Sequence, residues 1–241
     1  MQTSRRRKIG LGLTLAAAAT VGFVVARWPD VDALAEATPS TTAFLERARD
    51  RAKADGTVAP RRQVVGWART SDHLKHAVVV SEDIDFFSHS GFAWNEVEAA
   101  VRDTVEEGKA LRGASTITQQ LAKNLWLSPS RNPLRKLQEV VLTWQLERTL
   151  SKRRILELYL DSVEMGPGVW GAEAAARHFF GKPARDLSVR EAAQLAAGLP
   201  RPTSWFPGCG SKAYARRVDR LVARMEKTAW VAREVRDAQP R

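Results

Sequence analysis

Between Ser81 and Gly91 the chain sets the carboxylates Glu82, Asp83 and Asp85 beside the aromatics Phe86 and Phe87 and the imidazole of His89. The apolar run Ala77 to Val80 directly precedes them, so a carboxyl at this junction is partly withdrawn from water. Desolvation raises a carboxyl pKa and suits Glu82 to accept a proton from a hydroxyl near neutral pH, which a solvated glutamate does poorly. A solvated acidic turn after a buried strand accounts for the same residues, and the segment alone does not choose.

A second segment, Gly113 to Asn124, stacks small hydroxyl and amide side chains: Ser115, Thr116, Thr118, Gln119, Gln120 and Asn124, with Lys123 among them. Such groups offer neutral donors and acceptors to sugar hydroxyls and phosphate oxygens. A Ser or Thr there also caps a helix whose amino end attracts anions. An ordinary capped helix explains the hydroxyls, but not Gln119 and Gln120 together with Lys123.

Farther on come Arg131, Arg135, Lys136 and Glu139, then Lys152, Arg153 and Arg154. Arg135 and Glu139 are one helical turn apart and Lys136 lies three residues before Glu139, so all three can share a face. One reading is a surface salt-bridge ladder; the other is a cationic clamp for a pyrophosphate, with Glu139 orienting a cation or holding a metal.

These residues need elements to position them, and the strongest periodic signals are helical. Phe44, Leu45, Ala48 and Ala52 predict a short surface helix; Val97, Val101 and Val105 before Gly108 predict another; Leu134, Leu137, Val140, Val141 and Trp144 after Pro133 a third. Ser151 caps the segment holding Ile155, Leu156 and Tyr159, Ser188 with Glu191 forms a capping box, and Gly181 and Gly198 are stop signals. Val218, Leu221, Val222 and Met225 form one stripe of a basic helix after Gly210. Only Val64 to Trp67 and Val78 to Val80 look like strands, so the fold class is mainly α. No glycine-rich phosphate loop is present.

The 241 residues, 44% hydrophobic, suffice for one sizeable domain plus a short appendage. Thirty-eight Lys and Arg against 27 Asp and Glu give a net charge of +11, which draws the protein to nucleic acid, phospholipid head groups or a phosphorylated substrate. The single cysteine, Cys209, excludes an intramolecular disulfide. At the amino terminus Arg5, Arg6, Arg7 and Lys8 precede an uncharged run from Ile9 to Ala26, which as a helix spans roughly 27 Å. The basic flank places the amino terminus in the cytoplasm and the rest outside, with Trp28 at the interface. The alternative is a cleaved signal peptide ending at Ala33-Leu34-Ala35. The expected organisation is a basic cytoplasmic segment at 1–8, a transmembrane anchor at 9–28, a tether and surface helix at 29–60, and the catalytic domain at 61–241.

Together these segments resemble the peptidoglycan glycosyltransferase family, from about Trp67 to Pro207, in five ordered blocks. Glu82, Asp83, Phe86, His89 and Gly91 match the first, and Gly113 to Asn124 the second; Arg135, Lys136 and Glu139 match the third. Lys152 through Ile155 and Leu156 to Tyr159 and Leu160 match the fourth, and Gly166 through Gly171, Ala174, Ala175 and Phe180-Gly181-Lys182 the fifth. The resemblance implies a lysozyme-like domain of a larger lobe and a smaller, membrane-associated one. By the same resemblance it is expected to act on lipid II at the outer, periplasmic face of the cytoplasmic (inner) membrane, which agrees with the one N-terminal transmembrane helix expected above. The basic charge then has its target in pyrophosphate and anionic head groups, and nucleic acid is the poorer partner. The chain resembles the monofunctional enzymes, and no Ser-x-x-Lys nucleophile occurs in it.

By that resemblance Glu82 deprotonates the 4-hydroxyl of the acceptor's N-acetylglucosamine, which attacks the anomeric carbon of the donor's N-acetylmuramic acid with inversion and expels polyprenyl pyrophosphate. Lys123, Arg131, Lys136, Arg135 and Lys152 neutralise the leaving group, with Glu139 supporting these side chains or a divalent cation, Mg or Mn, and no organic cofactor is expected. Ser115, Thr116, Gln119, Gln120 and Asn124 fall to the substrate, while Asp83, Phe86, His89, Gly91, Gly113 and Tyr159 hold the motifs in shape. The partners implied are lipid II, the nascent glycan strand, the membrane and other cell-wall synthesis or division proteins. Two positions depart from the family pattern: Asp161, commonly Asn, puts a negative charge near the expected phosphate region, and Met165 replaces a common aromatic. The rival readings are a lysozyme-like hydrolase or lytic transglycosylase and an anchored anion-binding module without chemistry.

Overall fold

The computed structural model describes residues 28–92, 115–130 and 132–240. The chain divides after Asp30, and the following concerns the unit Val31–Arg241. The expected membrane span, apart from Trp28, lies outside the described residues, as do the helix through Val97, Val101 and Val105, and Gly113 and Arg131. Among the described residues no helix is long and apolar enough to cross a membrane.

Helix α1, Ala43–Ala54, starts where the Thr42 side chain accepts from the Leu45 N–H. It is a surface helix with one face packed: Leu45 is fully buried, Ala52 is buried, and Arg47 donates to Leu127 O at 2.7 Å; upstream, Val31 and Leu34 are also buried. The packed unit therefore begins well before residue 61.

Helix α2, Asp72–Glu82, is capped by Ser71, whose Oγ accepts from the His73 N–H at 3.1 Å. It contains Val78, Val79 and Val80, which sequence pattern assigns to a strand. Valine disfavours a helix by only a few tenths of a kcal/mol each, whereas burying each side chain contributes about 1.5–3 kcal/mol, and every residue from Leu74 to Val80 is buried. Tertiary packing decides the conformation. Nor is Val64 to Trp67 a strand; Gly66, at φ +72°, leads into a 3-10 turn over Trp67–Arg69. The strands are short: β1 (Arg61–Arg62) runs parallel to β3 (Val169–Trp170), which pairs antiparallel with β2 (Glu164–Gly166).

The remaining helices are α3 (Ile117–Trp126), α4 (Pro133–Thr149), α5 (Lys152–Ser162), α6 (Ala172–Phe180), α7 (Val189–Gly198), α8 (Lys212–Lys227) and α9 (Ala229–Asp237). Ser151 caps α5, Ser188 and Glu191 form the expected capping box on α7, and Gly181 ends α6 in the left-handed conformation. Gly198 is required for a different reason than a stop: a Cβ there would meet Trp205 O at 2.4 Å. Two packed groups emerge. In one, α2 lies against α7, α8 and α9, with α8 also on α7; in the other, α3 packs on α1, α4 and α5.

One apolar stripe faces the wrong way for a core. On α4, Leu134 is 69%, Leu137 61% and Trp144 53% exposed, while Glu139, Leu142, Thr143 and Leu146 are buried. Periodicity identifies the helix but not which neighbour, protein or otherwise, its stripe meets.

Candidate active site

The two helix groups meet at Glu82. As the last residue of α2 it sits where the helix gives way to the turn Asp83–Ser88, and its side chain is 11% exposed. Gln120 on α3 donates through Nε2 to Glu82 Oε2 at 3.2 Å, and Ser81 Oγ donates to Oε1 at 3.0 Å. The Gln120 amide is oriented from behind, because the Tyr159 hydroxyl donates to Gln120 Oε1 at 2.9 Å. Burial pushes the Glu82 carboxyl up from its ordinary value; the Gln120 and Ser81 bonds and the charge of Arg217 oppose the rise. Tyr159 is fully buried, and burial together with the charges of Glu82 and Asp83 holds its hydroxyl protonated, so it remains a donor.

The neighbouring Asp83 has a different task. Its Oδ1 receives His89 Nε2 at 2.9 Å and its Oδ2 receives the Ile117 N–H, at the first turn of α3, at 2.9 Å. The Gly91 N–H donates to His89 Nδ1 at 3.0 Å, so the proton lies on Nε2 and points at Asp83. Asp83 and His89 thus tie the loop after α2 to the start of α3, which puts Gln120 against Glu82. Phe86 is fully buried and edge-on to Phe87 and His89. Thr116 Oγ1 donates to Gly91 O at 2.7 Å and accepts from the Gln119 N–H at 3.2 Å.

The Gly113 to Asn124 block therefore divides between two tasks. Thr116 and Gln119 form a capping box, with Gln119 Oε1 accepting from the Thr116 N–H at 3.0 Å. Gln120 holds the carboxylate, Ser115 is exposed beside it, and Asn124 is buried one turn beyond Gln120. Lys123, three residues after Gln120, falls on the same side of α3. Its ammonium is pushed down by burial, and it lies in the fields of Glu139, Arg135, Lys136 and Glu82.

Glu139 is buried and both of its oxygens are occupied. Arg135 Nη1 donates to Oε2 at 2.8 Å and Lys136 Nζ donates to Oε1. With two cations on the carboxylate and Lys123 close by, the donor set does not suit a divalent cation on Glu139. Among the described residues no group of three His, Cys, Asp or Glu could hold a metal. The cluster suits an anion.

Lys152 stands apart from that cluster. Its Nζ donates to Glu147 Oε1 at 2.8 Å and sits 4.5 Å from the centre of the Phe86 ring; burial lowers its pKa and Glu147 raises it. Glu147 Oε1 also accepts from Thr118. This group underpins the Asp83–His89 loop. Asp161 likewise is not among the charges acting on Lys123: it is buried on α5 beside Arg62, with Oδ1 accepting from the Val65 N–H at 3.3 Å. Met165 is fully buried.

One site residue is not apparent from the motifs. Arg217 on α8 donates through Nη2 to Ser81 Oγ at 3.2 Å and stands 3.8 Å from Glu82 Oε1. The only trace in the sequence is the helical spacing of Arg217, Arg220 and Arg224 alongside the Val218, Leu221, Met225 stripe.

The arrangement supplies one desolvated carboxylate, Glu82, and a group of cations drawn from α3 and α4, Lys123, Arg135 and Lys136. Comparison with known proteins shows what the whole chain is similar to. A family model described as "Transglycosylase" matches residues 50–226. The chain is 44% identical over 191 residues, 79% of its length and 83% of the relative's, to a biosynthetic peptidoglycan transglycosylase of Methylobacillus flagellatus. It is 48% identical over 182 residues, 75% of its length and 78% of the relative's, to the protein of that name from Thiobacillus denitrificans. With one from Azoarcus sp. the identity is 45% over 193 residues, 80% and 82% of the two chains.

Proposed function

Since the chain belongs to the transglycosylase family, we propose that it is a peptidoglycan glycosyltransferase that polymerises lipid II into linear glycan strands, with Glu82 as the base. The observation that carries this reading is the placement of one desolvated carboxylate, fixed by Gln120, within the field of a half-buried lysine that belongs to a cationic cluster. Glu82 takes the proton of the acceptor's 4-hydroxyl. The freed oxygen attacks the anomeric carbon of the donor from the face opposite its pyrophosphate, and the C–O bond to that group breaks with inversion. The electron pair leaves on polyprenyl pyrophosphate, whose charge Lys123, Arg135 and Lys136 neutralise while Glu139 orders the latter two. Arg131 belongs to the same stretch of sequence and is assigned to the same anion.

A hydrolase on the same fold needs a carboxylic acid to protonate its alkoxide leaving group and a second carboxylate for water or the sugar. Asp83 is bound on both oxygens by His89 and the Ile117 N–H, and Glu139 by Arg135 and Lys136. Neither is available as that partner, whereas a pyrophosphate leaving group needs no acid. The 241 residues hold no Ser-x-x-Lys nucleophile, so no transpeptidase chemistry is proposed for them. The exposed apolar face of α4 and the uncharged run Ile9 to Ala26 support work at the membrane, with the site on its outer face. Incubating the purified protein with labelled lipid II, and separately with preformed glycan, tests the reading. Chain growth that disappears in Glu82→Gln is expected; glycan cleavage without growth would sink it.

A further inference from the structure

A serine in a helix commonly returns its hydroxyl hydrogen to a carbonyl one turn back. The Ser81 hydroxyl, at the end of α2 beside Glu82, reaches out of its helix instead. It donates to Glu82 Oε1 at 3.0 Å, and Ala196 O, near the end of α7, stands 3.5 Å away as a second acceptor. Arg217 Nη2, on α8, donates to the same hydroxyl at 3.2 Å. The single Ser81 hydrogen therefore has two places to go, Glu82 or Ala196, while one lone pair is taken by Arg217 and the other is left. The two Glu82 oxygens are not equivalent either. Oε2 faces the Gln120 Nε2 donor, and the Tyr159 hydroxyl on Gln120 Oε1 keeps that amide from turning round. A proton on Oε2 aimed at Gln120 would meet an N–H; one on Oε1 aimed at Ser81 meets a group that can accept it.

We propose that Ser81 is a positioning residue that serves Glu82 in both of its charge states: it donates to Oε1 of the ionised carboxylate and, once Glu82 holds a proton on Oε1, turns its own hydrogen to Ala196 O and accepts that proton's bond. The inference rests on the reading of Glu82 as the base. No proton leaves Glu82 in this step; only the hydroxyl rotates. The charged and titratable groups around the carboxyl are Asp83 on the following loop, Lys123 of α3, Tyr159 of α5 and Arg217 of α8, and α7 contributes the Ala196 carbonyl. Lys123 and Arg217 only donate, both Asp83 oxygens are engaged, and the Tyr159 hydroxyl is held by Gln120. Among the described residues that leaves Ser81 as the group able to switch. Its bond to the charged carboxylate is the stronger of the two, so loss of the hydroxyl disfavours ionisation and weakens the base at low pH.

The test compares the full native chain in detergent with Ser81→Ala and Ser81→Thr. Alanine is a better helix former than serine, so the first variant keeps its fold. Ser81 lines a cavity of about 250 Å³ on the side of α8, which leaves room for the methyl group of the second. Chain growth from labelled lipid II is followed across pH. In Ser81→Ala the acid limb should move upward by about one pH unit, with an about ten-fold loss below it that recovers above; Ser81→Thr should keep the native profile. Infrared difference spectra on titration read the protonated carboxyl directly, its band identified by its disappearance in Glu82→Gln. The carbonyl stretch should lie higher in Ser81→Ala than in the native chain or Ser81→Thr, because the bond from the protonated Oε1 is lost. An unmoved band, a loss of rate that is uniform across pH, or a threonine variant that behaves as alanine in both readouts overturns the proposal. A band whose titration shifts in Ser81→Ala while the rate profile does not would keep the Ser81 contact and sink Glu82 as the base.

Discussion

Gln120 donates to Glu82 Oε2 at 3.2 Å while its other end accepts the Tyr159 hydroxyl. The amide is a strut between a residue deep in the core and the base, and it favours the ionised carboxylate that burial disfavours. Tyr159→Phe removes the anchor without removing the ring. The amide is then free to turn its oxygen toward Glu82, so the carboxyl pKa rises and the acid limb of the pH–rate profile moves upward by about one pH unit. Activity on that limb falls about ten-fold and recovers at higher pH. A uniform loss at every pH would mean that Tyr159 matters for packing alone.

Glu82→Gln removes the base and should lower polymerisation by about 10²–10⁴-fold, while thermal stability is retained. The sign follows from burial, which lifts the folded pKa of Glu82 above its unfolded value. Ionisation therefore weakens the fold as pH rises through that value, and a neutral amide of the same shape escapes the penalty. Native activity should conversely climb with pH through the same titration, because the base works ionised. Calorimetry beside the chain-growth assay checks both; a mutant that loses activity by unfolding would contradict the assignment.

Lys123 and Lys152 look alike in sequence, and the structure separates them. Lys123→Ala should reduce turnover about 10²–10³-fold with little change in the urea midpoint. Lys152→Ala withdraws one of the partners of Glu147, whose side chain is 9% exposed and keeps the Thr118 bond, and should destabilise the protein by about 2 kcal/mol, as for a lost charged hydrogen bond. Urea unfolding and steady-state rates on both variants decide whether the two lysines have these separate roles; equal stability losses would not fit.

Much of this site is legible in sequence because it is local. Glu82 to Gly91 is one loop with internal bonds; Thr116 and Gln119, by contrast, read from sequence as substrate ligands, whereas the structure spends both on a capping box. Long-range approach is what spacing does not encode. Arg217 reaches Ser81 across 136 residues, and nothing near either residue announces the other. The valines of α2 look like a strand because β-branching is a local preference, outweighed by burial on a helix packed against α7, α8 and α9. On α4 the stripe is read correctly as a helix face, yet its direction depends on surroundings that a period cannot name.

Gly91 illustrates a constraint with two causes. Its φ is +89°, and a Cβ would lie 2.8 Å from Glu147 Cγ and 2.9 Å from Thr143 Cγ2. Gly91→Ala thus meets backbone strain and a clash with Thr143 and with Glu147, which holds Lys152, at about 1–3 kcal/mol each. Its Tm should fall by about 5–10 °C, and activity should drop as the His89–Asp83 contact loosens. Differential scanning calorimetry with the chain-growth assay tests this, and a neutral substitution would contradict it.

Asp161 offers a test of burial free of catalysis. It is 1% exposed, its Oδ2 has no hydrogen bond, and burial pushes its carboxyl up from 3.8 to about 6 against the Val65 and Gly66 N–H groups and the charge of Arg62. Between about pH 4 and pH 6 the unfolded chain has already released this proton while the folded chain keeps it, so stability declines as pH rises across that window. Above it the native state carries a penalty of about 3 kcal/mol. Asp161→Asn preserves an acceptor for Val65 and Gly66 and abolishes the charge, while its NH₂ takes the unpartnered position at a cost of about 1–2 kcal/mol. The variant should be more stable than the native chain by about 1–2 kcal/mol at pH 7.5, and the advantage should vanish or reverse at pH 4.5, where Asp161 is protonated. Urea unfolding at the two pH values measures the difference; a gap that does not shrink on acidification would show that desolvation of the Asp161 carboxylate is not its origin.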